Sequence, residues 1–109
     1  MKRGDVVTVA AGTGYAGKPR PGIVVQSDVF DTVFSMVVCP LTSNPFEVQS
    51  VRVAIEPSAT NGLRARSWAM VDKMGAVRRD KIDKTIGALA ATDVSRLDEA
   101  LMVFLGLAA

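Results

Sequence analysis

The chain has 109 residues, 49% hydrophobic and 22% charged, with no histidine, one cysteine and a formal net charge of +2. That length fits one small domain, and the apolar share is enough to bury a core. With no imidazole and only Cys39 as a thiol, an internal disulfide, a His/Cys metal site, a Ser-His-Asp triad and a Cys-His pair are all excluded. Any proton transfer has to use carboxylate, hydroxyl, water, lysine or arginine.

The small positive charge permits a polyanionic partner without requiring one. The longest apolar run, residues 100–109, is about half of what a bilayer span needs. Residues 1–5 lead into an alternating segment and not into a signal-peptide core, so no membrane association and a cytoplasmic location are expected.

Residues 5–10 (Asp-Val-Val-Thr-Val-Ala) read as a β-branched strand. Residues 11–21 carry three glycines and two prolines and read as a loop. A second strand is expected over 22–26. The third, over 33–39, is apolar enough to be covered on both faces. It is expected to stop at a turn over 40–45 (Pro-Leu-Thr-Ser-Asn-Pro). Residues 46–55 alternate at Val51, Val53 and Ile55 but lose phase at Gln49-Ser50, where a bulge would restore it. A loop follows over 56–62, then a strand over 64–71 with a basic first half, a short strand over 75–77 and a basic turn over 78–81.

After Thr92, read as a helix N-cap, Val94, Leu97, Leu101, Phe104 and Leu105 recur at helical spacing as a core-facing stripe. The pattern predicts a mainly β fold. Five to seven short strands form a small bent barrel closed by a C-terminal helix, in one domain over 1–109.

Two segments could carry chemistry. In Gly17-Lys18-Pro19-Arg20-Pro21 the prolines stiffen the backbone around Arg20, whose planar fork suits phosphate. A solubilising turn is the competing reading. In Pro40-Leu41-Thr42-Ser43-Asn44-Pro45, hydroxyls at a strand end can donate to phosphate oxygens, or simply cap their own backbone. Asp72, before Lys73, reads either as a general base or as half of an ion pair. Between Arg52 and Lys84 there are eight basic and four acidic residues, which suits a nucleic-acid groove or plain solvated surface. Trp68 reads as core or interface, and Cys39 as an inert small hydrophobe.

In order along the chain, Lys2-Arg3-Gly4-Asp5-Val6-Val7, Arg20-Pro21, the strand from Gly22 to Asp28, Pro40-Leu41-Thr42-Ser43-Asn44, Met70-Val71-Asp72-Lys73 and Arg96-Leu97-Asp98-Glu99-Ala100-Leu101 together resemble the MazF/PemK (Kid) toxins. The resemblance implies an SH3-like barrel, a homodimer and metal-independent cleavage of single-stranded mRNA without a cofactor. It also implies a cognate antitoxin with an acidic, disordered tail. Arg20 and Thr42 match the family's catalytic arginine and threonine, and Asp72 an acidic position used by some members. Lys18, Ser43, Asn44 and Lys73 are the matching substrate-binding candidates.

The chain departs from the family in two places. Residues 12–17 (Gly-Thr-Gly-Tyr-Ala-Gly) lack an acid usual in that loop, and Lys73 stands where glutamine is common. A gyrase poison of the CcdB type and a non-catalytic SH3-like binding module are the alternatives. The first lacks support because the chain ends Gly106-Leu-Ala-Ala109, without the Trp-Gly-Ile tail of those poisons.

Overall fold

The computed structural model describes residues 1–10, 18–30, 34–45 and 51–109. Seven antiparallel strands precede one helix: β1 (Asp5–Val9), β2 (Arg20–Val24), β3 (Ser35–Thr42), β4 (Arg52–Ile55), β5 (Ser67–Met70), β6 (Gly75–Arg78), β7 (Ile82–Ala88) and α1 (Ala91–Phe104). The sheet runs β4-β5-β3-β2-β1-β7, with β6 also on β3. The fold is therefore the mainly β architecture with a terminal helix that the pattern predicts. As a barrel it is loose, because no pairing among the described residues joins β7 to β4.

The longest strand, β3, organises the rest. One edge pairs with β2, and the other meets β6 through Ser35–Val38 and β5 through Leu41 and Thr42. Between those two pairings the register slips by three residues, the length of a 3-10 turn at Val71–Lys73. Cys39 and Pro40 thus have no strand partner on that edge. Pro40 has no N–H for a ladder bond in any case.

Gly22 on β2 pairs with Pro40, and the Val38 side chain of β3 occupies the space where a Gly22 side chain would lie. A Cβ on Gly22 would overlap Val38 Cγ1 and come within 3.3 Å of the Cys39 carbonyl oxygen. This contact fixes the register of the strands that carry Arg20 and Thr42.

The main core comprises Val6, Ile23, Cys39, Leu41, Val53, Ile55, Ala69, Val71, Leu89, Leu97 and Leu101. Leu97 and Leu101 bring α1 onto the sheet. Arg3 ties the helix down by donating from Nη2 to Asp98 at 2.6 Å and from Nε to the Val25 carbonyl at 2.8 Å. The helix ends at Gly106, which has φ +77°. Its N–H and that of Leu107 return to the Val103 and Met102 carbonyls, closing a Schellman motif.

Several sequence expectations are corrected. The second strand starts at Arg20 rather than Gly22, so Arg20 and Pro21 are strand residues paired with Val9 and Thr8. The third strand runs through Pro40 to Thr42, which makes Thr42 its last residue and not part of a turn. The helix cap is Ala90, with no side-chain cap bond, and not Thr92. Phe104 and Leu105 are 43% and 53% exposed and do not join Leu97 and Leu101 in the core. β7 was not expected at all. It holds only Ile82, Ile86 and Ala88 as apolar residues, and its pairing with β1 is broken by two irregularities. The expected bulge at Gln49-Ser50 lies outside the described residues.

Gly22→Ala should cost about 1–3 kcal/mol, because the added methyl has to push β2 off β3. Urea unfolding measures that loss, and a value near zero would mean the close approach is not needed.

Candidate active site

The β2–β3 register defines the site. The β2–β3 pairing runs from Val24–Val38 to Gly22–Pro40, and continued two residues past that last pair the same register brings Arg20 level with Thr42. Thr42 in turn pairs with Trp68, Trp68 with Ala54, and Arg20 with Val9. Residues opposite one another share a sheet face. One transverse row on that face therefore reads Val9, Arg20, Thr42, Trp68, Ala54.

Beside this row is a groove of about 680 Å³, lined by Arg20, Thr42, Ser43, Asn44 and Lys73 with Pro40, Met70 and Val38 among its apolar residues. Guanidinium, hydroxyl, amide and ammonium groups thus converge over an apolar floor. Thr42 Oγ1 accepts a 3.1 Å bond from the Asn44 N–H, which settles the hydroxyl beside the chain reversal. A threonine hydroxyl that accepts there acts as a donor through its own hydrogen. The sequence-predicted residues Arg20, Thr42, Ser43, Asn44 and Lys73 are brought together. Lys18 is exposed before β2 and does not line the groove. The acid-free loop of residues 12–17 lies outside the described residues.

Asp72 takes the ion-pair role of its two readings. It does not line the groove, and its carboxylate is held by Arg52, with Nε donating to Oδ1 at 2.9 Å and Nη2 to Oδ2 at 3.2 Å. The Arg52 side chain is 2% exposed and that of Asp72 25%. Arg52 Nη1 is buried with no hydrogen-bond partner among the described residues. The pair anchors the Val71–Lys73 turn, which carries Lys73 onto the groove. Sequence reading counted Arg52 only as part of a basic excess. The bond joins positions twenty residues apart, a link that no local pattern carries.

Cys39 is fully buried beneath this pair. Burial, with a smaller push from Asp72 against a counter-pull from Arg52, raises its thiol to about 12. It is neither a nucleophile nor a metal ligand at neutral pH. Among the described residues no three His, Cys, Asp or Glu side chains cluster as a metal site, and no helix is long and apolar enough to cross a membrane.

Residues 2–105 match the model of the PemK-like, MazF-like toxins of type II toxin–antitoxin systems. The chain belongs to this family. It is 44% identical over 108 residues to a probable endoribonuclease MazF of Mycolicibacterium smegmatis, covering 99% of each protein. It is 28% identical over 116 residues to the endoribonuclease MazF9 of Mycobacterium tuberculosis, covering 98% of each. Among solved structures, an endoribonuclease in complex with its cognate antitoxin from Mycobacterial species superposes with a TM-score of 0.80 at 21% identity, covering 100% of this chain and 98% of that one. MazF in the MazE–MazF crystals from Deinococcus radiodurans gives 0.77 at 17% identity, covering 97% and 95%. The two curated mycobacterial relatives are named as endoribonucleases, which leaves the gyrase-poison and binding-module alternatives without support. For this toxin the structural likeness confirms the fold.

Two outcomes follow for the buried groups. Asp72→Asn strands the Arg52 charge and should cost about 3 kcal/mol, the lower end for a broken buried pair since Asp72 is partly exposed. The double variant Arg52→Met/Asp72→Leu should recover most of it, as denaturant midpoints would show. For Cys39, the unfolded thiol ionises near 9.0 and the folded one near 12. Its contribution is therefore complete below pH 9 and declines as pH rises toward 12. Cys39→Ala should flatten that alkaline slope, and a slope unchanged by the substitution would contradict the assignment.

Proposed function

We propose that the protein is the toxin endoribonuclease of a type II toxin–antitoxin pair, a single cytoplasmic domain over 1–109 that cleaves single-stranded mRNA and so stops translation. The observation that supports this most is the strand register that brings Arg20 level with Thr42 at the mouth of a groove rimmed by Ser43, Asn44 and Lys73.

RNA brings its own nucleophile. The 2′-OH attacks the adjacent phosphorus, the P–O5′ bond breaks, and the products are a 2′,3′-cyclic phosphate and a 5′-OH end. Charge builds on the non-bridging oxygens on the way to the phosphorane, so the enzyme's task is to hold the phosphate and neutralise that charge. Arg20 supplies a planar, permanently charged donor pair on a strand, a more rigid support than a loop. Thr42 holds a non-bridging oxygen or orients the scissile phosphate. Ser43, Asn44 and Lys73 bind the flanking strand, and Lys18 adds charge outside the groove. No step calls for a metal or a cofactor.

As in the complexes of its structural neighbours, the toxin has a cognate antitoxin, whose acidic, disordered tail is complementary to the basic groove. It acts as a homodimer. The exposed apolar end of α1 (Met102, Val103, Phe104 and Leu105) offers surface for such contacts.

Arg20→Ala should lower cleavage of a labelled RNA in EDTA by about 10²–10³-fold, the usual effect of losing one charge-stabilising contact. Unchanged cleavage would remove Arg20 from the mechanism, and a strict need for added metal would remove the metal-free chemistry. The chain has no histidine. The rate should therefore show no imidazole-like step between about pH 6 and 7.

A further inference from the structure

The transverse row does not end at the catalytic pair. Trp68 faces Thr42 directly across β3 and β5, and in an antiparallel pair this puts their Cβ atoms about 4.5–5.5 Å apart on one face. Trp68 is half-buried, and the Arg66 guanidinium lies over its ring at 5.5 Å from the centroid. Arg66 is itself steered by Glu56, whose Oε1 accepts from Nε at 2.8 Å. The side chain of Arg66 nonetheless remains 57% exposed. A planar cation therefore lies over an indole, held at Nε by a carboxylate, with much of its side chain toward solvent. It stands one strand beyond Thr42 and two beyond Arg20.

Such a layer suits a nucleobase. Unpaired bases stack on aromatic rings and on arginine planes, and the backing ring and the edge carboxylate lower the cost of ordering Arg66. None of the groove residues that bind phosphate offers a π-face of this kind. A strand whose scissile phosphate sits at Arg20 and Thr42 carries a neighbouring base within reach of the row's next member.

We propose that Arg66, backed by Trp68, is a stacking subsite for one nucleobase flanking the scissile phosphate. The subsite rests on the ribonuclease reading for the identity of its ligand. It tolerates sequence, because every base has a π-face, and it adds affinity where the phosphate contacts alone would not discriminate a nucleic acid from another polyanion.

Trp68 is the only tryptophan, so intrinsic fluorescence reports on this position in the unmodified protein. A short mixed-sequence 2′-O-methyl RNA, which cannot be cleaved by 2′-OH attack, should quench that fluorescence on binding. Tripolyphosphate and an abasic strand of equal length should not. Trp68→Leu and Arg66→Lys, the latter keeping the charge and losing the plane, should each weaken binding of the 2′-O-methyl RNA about ten- to a hundredfold. Neither should change binding of the abasic strand.

Equal quenching by tripolyphosphate or the abasic strand would reduce the feature to a phosphate contact and overturn the proposal. So would unchanged affinity in both variants, or no quenching by an RNA shown by anisotropy to bind. If Trp68→Leu fails to fold, Arg66→Lys and the wild-type fluorescence still decide. The two readings separate cleanly. Base-dependent quenching without cleavage of unmodified RNA would retain the subsite and refute the ribonuclease. Cleavage at full rate by both variants, with no quenching, would do the reverse.

Discussion

The site depends on the contact between β2 and β3 at Gly22. The Val38 side chain lies where a Cβ on Gly22 would be, so no side chain fits at Gly22 while Val38 keeps its place. The register there sets Pro40 opposite Gly22 and, carried two positions past the last pair, brings Thr42 level with Arg20. A slip of one residue would send Arg20 to the other face, since side chains alternate along a strand. The placement of Arg20 near Thr42 is thus a consequence of strand pairing in the core. It does not depend on a flexible loop finding its place, which limits the freedom the arginine must lose on binding an anion.

A second constraint works from the other edge of β3. The Val71–Lys73 turn, inserted where Cys39 and Pro40 have no strand partner, is held by the bidentate Arg52–Asp72 pair. A buried pair of this kind contributes little net stability but makes one geometry strongly preferred over its alternatives. Here that geometry delivers Lys73 to the groove rim opposite the Arg20 strand. The groove therefore has positive charge from two independent elements. The nearest carboxylate in sequence to Lys73 is turned away to neutralise Arg52, leaving the rim basic.

What the sequence made readable follows from local physics. The β-branched runs of β1, β2 and β3 and the helical spacing of Leu97 and Leu101 identified the fold class, because burial imposes those periods directly. The candidates Arg20, Thr42, Ser43, Asn44 and Lys73 were also visible, since each sits in a short motif whose order along the chain resembles a family. β7 was missed because its partner β1 meets it through two irregularities, so strict alternation never develops. The helix stripe over-reached at Phe104 and Leu105, where the periodicity continues but burial does not. For Asp72 the ion-pair reading was legible but its partner was not. A carboxylate next to a lysine says nothing about an arginine twenty positions earlier that folds against it. Likewise Trp68 could be placed in a strand, but only the cross-strand register shows it beside Thr42.

Absence of histidine, which at first narrows the chemistry, fits the proposed mechanism, in which the substrate attacks itself and the protein's task is to position a phosphate and stabilise its charge. Cleavage of an RNA carrying a single 2′-deoxy nucleotide on the 5′ side of the scissile phosphate tests this most directly. This one substitution should abolish cleavage while the RNA still binds the Arg20–Thr42 groove with near-normal affinity. Cleavage at the deoxy site would show that another nucleophile does the work and would rule out attack by the 2′-OH.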